Sequence, residues 1–327
     1  MAKLSSLQSR RWAIVLAGGE GERMRSLTTR WFGRHRPKQY CTFMGSRTML
    51  QHTIDRARLA VKSENILTVI GGDHRNFLDG PLPGTVIEQP EKRDTAPGIF
   101  LPATHILAAD PSATVLIFPS DHFIYPEQRF LEHVERAALV AERLNDKLVL
   151  LGANPDRPET DYGWIEPGGI NHSYTWSSRQ ALRQVRSFHE KPSRIKAENY
   201  FYGGLLWNTM IMAVKVRTLW SIGNRLLPDI VKRFESLRRV LTLVNSGIVG
   251  EEHAQIALSY VYNRLGSANF STEVLQRIPD QTVVLPMVDT SWSDWGTPQR
   301  ILETIEQFKL VPAFPVKEEE EVLVKTG

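Results

Sequence analysis

"RWAIVLAGGEGERMRSL" (residues 11–27) runs an apolar stretch straight into Gly18, Gly19 and Gly21 and then into arginines. The segment "AIVLA" (13–17) has the composition of a strand buried on both faces. Glycines at a strand end let backbone approach a ligand closely, and cations beside them point to an anionic ligand. From Arg23 to Lys38 the chain carries Arg23, Arg25, Arg30, Arg34, Arg36 and Lys38 with no Asp or Glu. Such a run repels itself unless an anion neutralises it. The glycine spacing is neither G-x-x-x-x-G-K-[ST] nor G-x-G-x-x-G. An ordinary strand-to-loop turn therefore remains open, as does a stacking platform for nucleic acid around Trp31 and Phe32.

Outward from this stretch the same alternation continues. "ILTVI" (66–70), "TVIEQ" (85–89), "ATVLIFPSD" (113–121) and "KLVLLGA" (147–153) read as further buried strands. Between them, "TMLQHTIDRARLAV" (48–61), "TAPGIFLPATHILAAD" (95–110) and "PEQRFLEHVERAALVAERL" (126–144) have helical spacing. Thr95 is the expected N-cap of the second helix, and Pro102 is expected to kink it. β-then-α alternation predicts an α/β fold: an open, mostly parallel, Rossmann-like sheet with helices on both faces. Ligands of such sheets sit at the carboxyl ends of strands, which singles out Gly18–Gly21, the Glu88–Asp94 turn and Ser120–Asp121. The pattern loosens from about residue 160, and residues 155–290 are expected to add a smaller mixed lid region. Residues 1–310 then form one domain, followed by a polar, partly disordered tail (311–327) that contains Glu318 to Glu321.

The chain has 327 residues, 42% of them apolar, which is enough for a large core. A net charge of +4 is too small to indicate nucleic acid by itself and suits substrates rich in phosphate. The single cysteine, Cys41, excludes an intrachain disulfide and a cysteine-based zinc site. No run approaches the roughly 20 apolar residues that span a bilayer, and the N-terminal residues lack a signal-peptide core. A soluble, cytoplasmic protein with no membrane or nucleic-acid partner is expected; the oligomeric state stays open.

Two carboxylates complete the chemistry. Asp121 ends the "IFPSD" strand, and Asp294 lies in "SWSDWGTP" (291–298). Either can cap a following helix; together they can hold Mg²⁺ between phosphates.

The order of these motifs resembles the sugar-1-phosphate nucleotidylyltransferases, and most closely the mannose-1-phosphate guanylyltransferase branch. "LAGGEGERMRSL…RPKQY" is similar to LAGGxGTRLWPL…PKQF, with Gln39 typical of that branch. "EQPEKRDTAPGI" resembles EPxGRNTAPAI, "PSDH" the first metal motif, "VRSFHEKPS" V-x-x-F-x-E-K-P, "DYGWIEPG" GYGYIE, "GGLLWNTMIM" WNSGMF, and "WSDWG" WSDVG. "NFSTEVLQR" (269–277) is similar to SIDYAVME only in outline. The likeness runs from about residue 12 to about 303. It implies a nucleotide site at Leu16, Ala17, Gly18, Gly19, Gly21, Glu22, Arg23, Lys38, Asp94, Thr95, Pro97 and Ser120. A sugar site is implied at Gly163, Glu166, Glu190, Lys191 and Asn208, with Asp121 and Asp294 as Mg²⁺ ligands. In that reading Arg23 and Lys38 hold the triphosphate of an NTP, and Lys191 steers the sugar 1-phosphate. Departures are Glu22 for Thr, Ser26 for Pro, Asp94 for Asn, Thr209-Met210 for Ser-Gly, Trp295 for Val, and about four extra residues before Pro37. A C-terminal β-helix or fused isomerase domain, frequent in that branch, is not expected. Alternatives are the same chemistry on another base or sugar, and a binding homologue that has lost catalysis.

Overall fold

The computed structural model describes residues 10–177 and 179–315. The strands are β1 (Arg11–Ala17), β2 (Ile66–Gly71), β3 (Thr85–Gln89), β4 (Thr114–Pro119), β5 (Phe123–Tyr125), β6 (Leu148–Ala153), β7 (Gly163–Ser177), β8 (Gln180–Glu190), β9 (Leu206–Lys215), β10 (Thr282–Met287) and β11 (Ser291–Ser293). The α-helices are α1 (Arg25–Phe32), α2 (Met49–Ala60), α3 (Thr95–Ala109), α4 (Glu127–Arg143), α5 (Arg194–Tyr202), α6 (Val216–Leu226), α7 (Pro228–Asn245), α8 (Glu251–Tyr262), α9 (Phe270–Glu273) and α10 (Pro298–Phe308).

Side chains alternate across a strand, and β1 shows the consequence directly. Ile14 enters one core with Val69 of β2 and Ile117 of β4. Ala13, Val15 and Ala17 enter a second core with Ile70 and Phe118. The first core is closed by α3, α6, α7 and α8 through Phe100, Leu219, Phe234 and Leu258. The second is closed by α2 and α4 through Ile54, Ala57, Phe130 and Val134. Burial on both faces is why these strands read as continuous apolar runs.

The main sheet has nine strands in the order β3-β2-β1-β4-β9-β6-β10-β8-β7. β8 and β9 run against the other seven, so the sheet is mostly parallel as expected. Residues 155–290 extend this sheet as β7–β10 and cover one face with α6–α8.

Two local expectations are corrected, at the cap of α3 and just after residue 310. Asp94, not Thr95, caps α3, its carboxylate accepting from the Thr95 N–H at 2.6 Å. α3 runs through Pro102 to Ala109, held by packing on the buried residues Ala96–Thr104. The residues just after 310 are not a loose tail: Ala313 N–H donates to Phe43 O at 2.9 Å, and Phe314 is buried against Trp31 and Phe43. Glu318 to Glu321 lie outside the described residues. Trp31 and Phe32 belong to this third, smaller core with Met24, Leu27 and Trp295, which removes the stacking-platform reading.

Candidate active site

The strand ends gather the site. β1 and β4 are neighbours, so the glycine loop after Ala17 lies beside Ser120 and Asp121. The small antiparallel pair of β5 and β11 aligns Ser293 with Phe123. That register carries Asp294 to Asp121, although they are far apart in the chain. Gly21 adopts φ 65°, a left-handed conformation that suits glycine, and a Cβ there would meet the Lys38 backbone nitrogen at 3.0 Å. Gln39 locks the loop from below, donating to Ala17 O at 2.8 Å and Gly19 O at 2.7 Å.

Lys38 is buried, and its ammonium lies 3.0 Å from Asp121 Oδ2 while also donating to the Asp294 backbone carbonyl. Asp294 accepts four side-chain and backbone hydrogen bonds. Its Oδ1 accepts from Tyr162 O–H (2.8 Å), Gly296 N–H (2.8 Å) and Arg300 (3.0 Å), and its Oδ2 from Arg23 (2.9 Å). Arg23 and Arg300 also share Asp161, and Arg300 reaches Glu159 at 2.7 Å. Burial pushes the Asp294 carboxyl up, but Lys38, Arg300 and Arg23 outweigh it and hold it well below the usual carboxylate range. Asp121 follows the same logic: burial raises it, Lys38 lowers it further, and it stays ionised. Burial pushes His122 down to about 4 despite its acidic neighbour. It is neutral, and its Nδ1 accepts from Trp292 Nε1–H at 3.1 Å, so it buttresses the pair.

Beside this cluster a cavity of about 260 Å³ opens between the glycine loop and the start of α3. Leu16, Gly18, Gly19, Asp94, Thr95 and Ser120 of the expected nucleotide set line it, with Asp121. Ala17 and Pro97 are buried behind, in β1 and in the first turn of α3. Glu22 turns outward onto Arg25, with two contacts of 2.8 Å that lower its pKa. The cationic run therefore splits. Arg23 and Lys38 face the two aspartates, Arg25 pairs with Glu22, and Arg36 pairs with Asp79 at 3.3 Å. Acids distant in sequence partner Arg23, Arg36 and Lys38, which the local sequence did not show, while Arg25 is paired by its neighbour Glu22.

The expected sugar residues also split. β7 and β8 pair Gly163 with Glu190 and Glu166 with Ser187, so Gly163 and Glu166 project to opposite faces. Gly163, Glu190 and Asn208 meet on one face. A Cβ at Gly163 would lie 2.8 Å from Glu190 Oε2, 2.9 Å from Phe188 Cζ and 3.3 Å from Asn208 Cβ, so a larger residue displaces Glu190 and Phe188. Burial raises the Glu190 carboxyl, partly offset by Lys191 and a bond from Ser271. Glu166 sits on the other face, accepting from Ser187 Oγ (2.6 Å) and Arg186 (3.0 Å). Lys191 is exposed, at φ 44°, with its N–H on Tyr162 O at 3.2 Å.

Sequence reasoning missed Tyr162, Arg300, Asp161 and Gln89. Tyr162 and Asp161 stand directly before Gly163 in the quoted motif. Arg300 lies on the first turns of α10, close enough in sequence to Asp294 to have been noticed. Gln89 lines the cavity against Gly18, its amide donating to Tyr262 O–H at 3.1 Å. Met210 also lines the cavity, at φ 57°. That conformation explains why glycine suits the position. Trp295, by contrast, leaves the site: it is buried, stacked on Phe123 at 5.0 Å. Cys41 is buried and its thiol is pushed up to about 12, which excludes it as an activated nucleophile.

The profile of the nucleotidyl transferase family matches residues 12–309. The chain is 30% identical over 301 residues to mannose-1-phosphate guanylyltransferase of Escherichia coli strain K12, covering 89% of this chain and 59% of that protein. It is 28% identical over 298 residues to mannose-1-phosphate guanylyltransferase 2 of Escherichia coli O157:H7, covering 88% and 58%. It thus spans less than two thirds of the length of these curated relatives. Among solved structures, one titled mannose-1-phosphate geranyltransferase, from Thermus thermophilus, superposes with a TM-score of 0.70 at 25% identity, over 90% of this chain and 79% of that one. A UDP-glucose pyrophosphorylase solved with UDP-glucose shares the fold, with a TM-score of 0.53 at 10% identity over 91% and 98%. Among the described residues no helix is long and apolar enough to cross a membrane.

Proposed function

Since this chain belongs to the nucleotidyl transferase family, we propose that it joins a sugar 1-phosphate, mannose 1-phosphate first, to the guanylyl group of GTP and releases pyrophosphate. The observation that carries this reading is the meeting of Asp121, Asp294, Lys38 and Arg23 at the mouth of the glycine-loop cavity.

Charge balance supports a divalent cation there. Lys38, Arg23 and Arg300 stand against Asp121, Asp294, Asp161 and Glu159, which leaves no surplus positive charge for a triphosphate. The donor chemistry fits Mg²⁺: hard carboxylate oxygens, both ionised, one on the partly exposed Asp121 and one, Asp294 Oδ2, shared with the half-exposed Arg23. Bound between them, Mg²⁺ would supply charge neutralisation on the α-phosphate.

The chain's own residues do the rest. Arg23 is half exposed and can leave Asp294 for the phosphates. Lys38 is fixed by the Asp121 carboxylate and the Asp294 backbone carbonyl and presents a positive charge where the triphosphate passes. A phosphate oxygen of the sugar phosphate attacks the α-phosphorus; the bond to the β-phosphate oxygen breaks and pyrophosphate leaves with that electron pair. The attacking phosphate is ionised at neutral pH, so no general base is required, and positioning with charge stabilisation supplies the rate. In this reading Lys191 guides the acceptor, and Glu190 with Asn208 meets sugar hydroxyls; the grouping of Gly163, Glu190 and Asn208 on one face supports it.

The test is pyrophosphate release with Mg²⁺ from each common NTP against a panel of sugar 1-phosphates. GTP with mannose 1-phosphate is expected to turn over fastest. Nucleotide binding by calorimetry without pyrophosphate release from any pair would overturn the catalytic reading in favour of a binding protein.

A further inference from the structure

Behind the glycine loop, away from Asp121 and Asp294, a second group of metal-competent side chains comes together. Glu20 stands in the loop, and Asp73 and His74 follow β2. One ligand atom from each lies within 4.8 Å of the others. His74 is fully buried, and its Nε2 lies 3.3 Å from Glu20 Oε1 and 3.7 Å from Asp73 Oδ1. Among the described residues that nitrogen has no hydrogen-bond partner. A buried imidazole nitrogen aimed between two carboxylates and left unbonded is costly unless something fills the gap.

We propose that Glu20, Asp73 and His74 bind a divalent transition-metal ion, distinct from any ion held by Asp121 and Asp294. On the far side of the ring, Gly71 N–H donates to His74 Nδ1 at 3.3 Å, and Ala17 O at 3.4 Å and the Tyr40 hydroxyl oxygen at 3.3 Å are acceptors within reach of the same nitrogen. An ion on Nε2 requires the tautomer with its proton on Nδ1, which gives up the Gly71 bond and donates to Ala17 O or Tyr40 instead. Two carboxylates and a neutral imidazole carry two negative charges, matching a divalent ion. One nitrogen with two oxygens suits zinc, cobalt or manganese better than magnesium or calcium, which prefer oxygen alone. Entry is open: Asp73 is exposed, and a cavity of about 480 Å³ reaches Glu20 and Asp73. An ion there ties the glycine loop to the end of β2, and so stiffens the segment between Gly19 and Gly21.

The experiment uses the full chain stripped with chelator and titrated with Zn²⁺ by calorimetry, and with Co²⁺ by visible absorption. Since His74 is buried, the decisive variants are Glu20→Gln and Asp73→Asn, singly and together. The unmodified chain is expected to bind one equivalent, with a rise in Tm. An Asp121→Asn/Asp294→Asn chain is expected to keep that equivalent. The Glu20→Gln/Asp73→Asn chain is expected to lose affinity about 100-fold. Equal affinity in that double variant, loss of the site in the Asp121/Asp294 variant, or no stoichiometric binding at all overturns the proposal.

Discussion

The two ends of the cleft are built on different physics. At the Asp121–Asp294 end nearly every charged group has an opposite partner within 3.3 Å, drawn from four separate segments of chain. At the Gly163–Glu190–Asn208 end, close contact dominates: a bare glycine, a carboxyl raised by burial and a buried amide. The first end is prepared to exchange its internal ion pairs for ions from outside. The second discriminates by shape. Met210 stands between them, lining the nucleotide cavity with its Sδ 3.5 Å from the Ser271 hydroxyl oxygen.

If that contrast is right, the largest effect belongs to the charged end. Asp121→Asn and Asp294→Asn should each cut turnover by on the order of 10³-fold or more while circular dichroism stays native, because the isosteric amide keeps the packing and removes the charge. Near-normal turnover with Mg²⁺ in either variant would show that the ion pairs there are structural. A smaller effect is expected at the crowded end. Gly163→Ala forces a Cβ into Glu190 and Phe188, at about 1–3 kcal/mol for overpacking. That is a cost to stability, read as a fall in Tm; by moving Glu190 it is also expected to raise KM for the sugar phosphate while KM for the nucleotide stays unchanged. Equal changes in both KM values would erase the division between the ends. The smallest effect tests whether the scaffold is independent of both. His133 on α4 is buried and neutral, its Nε2–H on Val288 O at 3.0 Å. Burial lowers its pKa, with the Val288 bond opposing. A lowered folded-state pKa gives stability that is full above the unfolded histidine value of about 6.5 and is lost as pH falls through the folded value. Below about pH 6.5, His133→Gln should therefore show a flatter fall of Tm than the unmodified chain, with turnover at pH 7 unchanged.

What the sequence revealed and what it hid separate along the same line. Strands such as Ala13–Ala17 and Thr114–Pro119 are apolar on both faces, so their burial and the parallel sheet were legible. So was the pairing of Asp121 with Asp294 as a candidate, through the likeness of their motifs. The partners of the cations were not. Asp161 and Asp79 reach Arg23 and Arg36 only through the fold, and a one-dimensional count of charge between residues 23 and 38 missed them. Glu166 was grouped with Glu190 because both follow recognisable motifs, yet the two-residue period of β7 sends it to the opposite face. The cap of α3 was misplaced by one residue because Asp94 takes a left-handed backbone that sequence alone does not signal.

The docking of Phe314 onto Trp31 and Phe43 has a consequence for how a nucleotide would arrive. The segment carrying Lys38 is clamped by a distant part of the chain before any substrate is present. A host already fixed in place gives up little conformational freedom on capture, so tightness should be governed by departure rate, and loosening Phe314 should shorten residence at the cleft without removing a single contact from it.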